Sequence, residues 1–139
     1  MTVMNDIRAA LEQQIANVSG IPSSSNRAWE NVRFTPTTNT AWVRMALVPV
    51  TSRPAVRGPN PQIRHDGSFL VTAHLPEGSG PAAADALADA IRAAFTVDTG
   101  LTSGAVTVRF NYSERGIAVL DAPWYIVTVS ISWYTYTSS

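Results

Sequence analysis

The chain has no cysteine and no lysine among its 139 residues. Without cysteine there is no disulfide framework, no thiol nucleophile and no thiolate metal site. Without lysine there is no Schiff-base lysine, no P-loop lysine and no lysine general base. Charge is scarce as well: charged residues make up 14% of the chain, against a globular norm of about 25%. Ten arginines balance ten acids, so the formal net charge is zero. Nucleic-acid affinity rests on neutralising many phosphates, which a neutral chain does poorly. Little charge also means little colloidal repulsion, as suits a surface that other protein covers. No stretch reaches 18 apolar residues, so no membrane-spanning helix is expected. The first 15 residues carry Asp6 and Glu12 and lack the apolar core of a signal peptide, which makes synthesis in a cytoplasm the expectation.

What is present fits one domain over residues 1–139, since domains run to roughly 100–200 residues. Ile7, Leu11, Ile15 and Val18 form one stripe on a helix over roughly 4–18, which Gly20 and Pro22 stop. A second helix over roughly 81–95 buries Ala84, Leu87, Ala88, Ile91 and Phe95, with Pro81 at its start. Period-two alternation marks strands over 41–48, 68–75, 105–112 and 125–135, with a weaker one at 117–120. Residues 99–104 and 113–116 read as turns, the second as a hairpin loop. Pro49, Pro54, Pro59 and Pro61 argue against a strand over 49–67, which reads as one long Pro/Arg-rich loop. The class is α+β: a mainly antiparallel sheet with two α-helices on one face.

Catalytic and cofactor motifs are thin. Gly78-Ser79-Gly80-Pro81-Ala82-Ala83 follows a strand, opens a helix and fits G-x-G-x-x-A, with Asp98 twenty residues past Gly78. Pro81, however, removes an N–H where a pyrophosphate would bind, and Glu77 sets a carboxylate beside it. His65 and His74 are the only imidazoles and lack both helical spacing and a third ligand. Asp85 and Asp89 lie one turn apart on a helix and read as a solvated face. No catalytic, cofactor or metal-binding residue is assigned. The arginines of the long loop, Arg53, Arg57 and Arg64, suit an arm that orders against a neighbouring subunit, because guanidinium groups bind carboxylates in bidentate fashion. Glu77, Asp85 and Asp89 are candidate acceptors. Tyr134 and Tyr136, on the hydroxyl-bearing face of an unusually long last strand, join them as candidate interface residues.

The run from the N-terminal helix through Trp29-Glu30-Asn31-Val32-Arg33-Phe34-Thr35-Pro36 and the run from Asp66 to Phe95 resemble the small tail terminator proteins of long-tailed bacteriophages. Shared features are a strand ending in a Pro-x-Gly-x-Gly turn, a helix closing on Phe, and a long loop after a strand closing on Pro49. The resemblance implies a non-enzymatic virion protein at the head-proximal end of the tail. It implies a hexameric ring that caps the tail tube, stops its growth and joins it to the head. The implied partners are further copies of the chain, the tail tube protein and a head-completion or connector protein. DNA would pass through the lumen without sequence-specific binding, and no membrane or cofactor is involved. Three other readings stand beside it: a connector ring of the neck, a small nucleotide-binding module using the Gly78-Ser79-Gly80 turn, and a host-encoded monomeric binding domain.

Overall fold

The computed structural model describes residues 3–55, 58, 62–78, 80–97, 99–104 and 106–138. Helix α1 spans Val3–Ile15 and buries Ile7, Leu11 and Ile15 completely. It stops a turn earlier than the stripe predicts. Asn17 and Val18 donate to the carbonyls of Gln14 and Ile15, three residues back, and Gly20 takes a φ of +79°. The tightened turn still delivers Val18 to the core, at 4% exposure. A 3₁₀ turn over Ser24–Asn26 leads to β1 (Arg27–Ala28).

The sheet is built on β2 (Trp42–Pro54), β3 (Gln62–Pro76) and, after helix α2 (Ala82–Ala94), on β4 (Gly100–Ser103), β5 (Val106–Arg115), β6 (Val119–Asp121) and β7 (Trp124–Ser138). The strand order is β1-β2-β3-β7-β5-β4, with β6 also on β7; β1 alone runs parallel to its neighbour. The centre is β3 against β7, paired without a register shift from Gln62↔Ser138 to Pro76↔Trp124. Odd-numbered residues of both strands face the helices: Phe69, Val71, Val129, Ile131 and Trp133 are at most 1% exposed. Helix α2 packs on β3 and β7 and α1 on β4 and β5, so both helices share one face of the sheet. Phe95 closes the layer, edge-on to Phe110 at 5.3 Å.

The expected loop over 49–67 is corrected. Strand β2 runs on to Pro54 and β3 begins at Gln62, so 49–54 and 62–67 form a β-hairpin arm that β7 flanks out to Ser138. The prolines are tolerated because of where they stand. Ala55 N–H points inward to the Gln62 carbonyl, so residue 54 points outward. Leu47 N–H points outward to Glu30, so residue 49, two further on, points outward too. Pro49 and Pro54 therefore remove no ladder hydrogen bond from this edge strand. A one-residue bulge between Pro49 and Thr51 keeps the two stretches compatible.

Two shorter readings change as well. Residues 100–103 are a strand, hairpinned to β5 with Gly104 at φ +60°. Residues 113–115 continue β5, and Gly116 N–H still donates to the Thr128 carbonyl at 2.8 Å. Strands β5 and β6 thus run in the same sense along one edge of β7, and the chain reverses at Ala122-Pro123.

Gly67 permits the closest approach in the sheet. A Cβ there would lie 2.5 Å from the Val48 carbonyl oxygen and closer still to the Trp133 ring, which fills the space a side chain would need. Gly67→Ala is therefore expected to destabilise the fold by about 1–3 kcal/mol or more. Gly116→Ala, 3.4 Å from its nearest neighbour, is expected to change stability by less than about 0.5 kcal/mol. Denaturant midpoints of the two variants check both.

Candidate functional site

The unbroken β3–β7 register brings three of the five predicted interface residues together. Arg64, Tyr134 and Tyr136 stand on the face turned away from the helices. The Arg64 guanidinium lies 4.4 Å from the centre of the Tyr134 ring and 5.6 Å from that of Tyr136. It donates from Nη1 to the Tyr136 hydroxyl at 2.8 Å and from Nε to both oxygens of Asp66, at 3.0 and 3.1 Å. The two tyrosines meet edge to face at 6.0 Å. Each such contact at a half-exposed site contributes about 0.5–1 kcal/mol, so the cluster stiffens one side of the arm more than it stabilises the fold. Arg109, the register partner of Tyr134, borders a recess of about 170 Å³ beside the tyrosines.

Arg53 is the register partner of Arg64, and like charges directly opposite repel. Arg64 is neutralised by Asp66; the Arg53 side chain is exposed and has no ion pair or hydrogen bond among the described residues. Arg57 lies outside the described residues. On the helix-facing side of the arm, His65 Nδ1 bonds Ser52 Oγ at 2.7 Å and Nε2 bonds Thr137 Oγ1 at 2.9 Å, tying three strands together.

The candidate acceptors are dispersed. Asp85 pairs with Arg115, so α2 is tied to the end of β5. Glu77 sits in the turn after β3, its N–H donating to the Pro123 carbonyl at 2.9 Å. Asp89 is exposed on α2 and, with Arg92 and Phe95, lines an open groove of about 560 Å³ that reaches Asn111, Tyr112 and Ser113 of β5. The Gly78–Gly80 turn has a local reason for its glycines: both take left-handed φ values, +87° and +81°. Pro81 precedes α2, and its carbonyl accepts the Asp85 N–H at 2.9 Å. Ser79, at a variable position of the dinucleotide pattern, and Asp98, its acidic residue, lie outside the described residues. Among the described residues, no three His, Cys, Asp or Glu side chains gather as a metal site, and no helix is long and apolar enough to cross a membrane.

One cluster was not legible in the sequence. At the end of the sheet away from the arm, His74 stacks on its cross-strand partner Trp42 at 3.8 Å and 9°. Phe34 and Trp124 touch the same indole, and Arg44 lies over it at 5.3 Å. His74 is 9% exposed and its Nδ1 has no partner. Burial pushes its imidazole below the usual range; the Thr72 backbone and Asp121 oppose this, and Arg44 reinforces it. Nearby, Glu30 Oε1 accepts from Arg8 and from Leu47 N–H, both at 2.8 Å, which holds its carboxyl below the usual range and pins the segment before β2.

With the architecture in view, comparisons place the chain in a class. One solved protein chain, 24% identical, superposes with a TM-score of 0.74 and is covered to 97%, with 99% of this chain matched. A chain from the virion of a native gene transfer agent particle, 19% identical, superposes with a TM-score of 0.54 over 99% of this chain and 98% of its own. At these identities the likeness shows a shared α+β fold. No curated protein sequence matches. The family model for phage tail terminator proteins matches residues 6–133, so the chain belongs to the phage tail terminator family and is a structural protein of the virion tail.

The cluster around His74 gives a pH prediction. A histidine whose folded pKa lies below its unfolded value of roughly 6.5 contributes stability that is complete above that value. That contribution is lost as pH falls from there through the lowered folded value. Unfolding midpoints of the protein are thus expected to drop across this window. His74→Phe, which keeps the stack on Trp42, is expected to flatten that part of the profile.

Proposed function

We propose that the chain assembles into a closed, hexameric ring on the last ring of the tail tube, halts tube growth there and presents the surface that joins the head. The observation that carries this reading is the family match over residues 6–133. The similarity to a chain of a gene transfer agent virion supports it. Identical subunits in head-to-tail contact form a ring when the rotation per subunit closes, and a closed ring leaves no end for further growth in its own plane. The arm fits the part of a contact element. It projects from the sheet, carries Arg53 without a partner acid, and is braced from within by Arg64, Tyr134 and Tyr136. In this reading Arg53, Arg57, Arg64, Tyr134 and Tyr136 form the surface toward the next subunit or the tube. Partners are the tail tube protein below and a connector protein above, with DNA passing through the lumen without sequence readout.

The test is capping of growing tail tubes, followed by electron microscopy. Added protein is expected to yield tubes of limited length with a ring at one end. Tubes that keep elongating, or rings found only on the head-side portal, would contradict the terminator reading and favour a connector. Arg57→Glu is expected to abolish ring formation, by light scattering, while the circular dichroism of the folded chain is unchanged; intact rings would remove Arg57 from the contact.

A further inference from the structure

The two edges of the sheet are unlike. Beyond Arg44 the outer side of β2 has no strand beside it among the described residues, and there it exposes Val48 (40%), Val50 (65%) and Arg53. At the other edge β4 covers β5 only from Val106 to Arg109, so among the described residues Phe110–Arg115 also lacks an outer strand. Along that stretch lies the groove of about 560 Å³ between β5 and the end of α2. Its rim exposes Val97 (65%), and Asp89 and Arg92 line it too, Asp89 without an ion pair among the described residues. A bulge between Phe110 and Tyr112 turns this part of β5 out of the regular ladder, and Asn111 donates across it to Ser132 Oγ at 3.1 Å. Large exposed apolar side chains beside an open strand edge mark a surface that protein covers.

The two edges are complementary. Over residues 49–67 the charges are Arg53, Arg57 and Arg64 against Asp66, a basic excess. Around the groove, over 82–97 and 111–116, they are Asp85, Asp89 and Glu114 against Arg92 and Arg115; with Asp85 and Arg115 paired to each other, an acidic excess of one remains. Both surfaces offer β-branched apolar side chains to the other. They sit at opposite ends of the strand order, with β3 and β7 between, so one copy cannot satisfy itself.

We infer that the groove between α2 and the open edge of β5 receives the β2 side of the arm of a second copy, with Val50 over Val97 and Arg53 against Asp89. The contact is heterologous: each copy gives its arm to one neighbour and its groove to the other. This inference rests on the ring reading and supplies its subunit contact.

The chain's lack of cysteine makes the test clean. Val50→Cys and Val97→Cys are prepared separately, mixed, assembled alone or on tail tubes, and treated with a short bis-maleimide. The mixture is expected to give covalent dimers, and either variant alone none. A chain carrying both substitutions is expected to give a ladder of covalent multimers. Val50→Cys dimerising alone would mean a symmetric contact and would overturn the inference. So would multimers by light scattering with no mixed cross-link, an outcome that leaves the ring reading standing. A chain monomeric at every concentration and on tubes would sink both. As a second arm, Arg53→Glu is expected to raise the midpoint concentration of assembly at least about tenfold, and Asp89→Arg to restore it in the double variant. Two additive losses would overturn the pairing.

Discussion

Everything in this molecule hangs on the pairing of β3 with β7, which keeps one register from end to end. In a strand pair without a bulge, each residue's face is fixed by its parity. Here that rule holds across the core and on into the arm. Phe69, Val71, Val129 and Ile131 are sealed under the helices, and the same alternation sets Arg64, Tyr134 and Tyr136 together on the far side. A bulge in either central strand would separate them. The irregularities fall instead on the outer strands β2 and β5, which can bend without breaking the centre.

The same pairing divides the chain into regions of different stability. Where both helices lie on the sheet, side chains such as Trp133 and Phe110 are almost wholly removed from water. Past Gly67 the layer ends, and every residue of β2 from Val48 to Pro54 is exposed. The arm is held by backbone ladders, the Ser52–His65–Thr137 chain and the Arg64 cluster, none of which buries much apolar surface. Such a segment opens at lower free energy than the core.

Much of this was legible in the sequence. The apolar stripes located both helices to within a turn, and period-two alternation located four strands, because each element buries one face against the other layer. The arm was misread for a definite reason. Prolines mark loops only when their missing N–H is needed, and at Pro49 and Pro54 it points outward. The polar run before Gly116 imitated a hairpin loop because its strand lies partly at an open edge. Arg64, Tyr134 and Tyr136 could be named singly, but their meeting depends on a register between segments some seventy residues apart, which no local pattern encodes. The stack of His74 on Trp42 and the groove beside Tyr112 are likewise products of pairing.

As a member of the phage tail terminator family, the chain is a structural protein of the virion tail. The arm of the isolated chain is strand, held on the β3–β7 spine. Native-state amide hydrogen exchange on the isolated chain tests this directly. Strand β3 is flanked on both sides, so consecutive amides at Arg64, His65 and Asp66 are expected to be protected. On the edge strand, protection is expected to alternate, with Arg53 and Ala55 slow and Ser52 fast. Arm amides exchanging uniformly at the unfolded rate, while the core stays protected, would contradict the account.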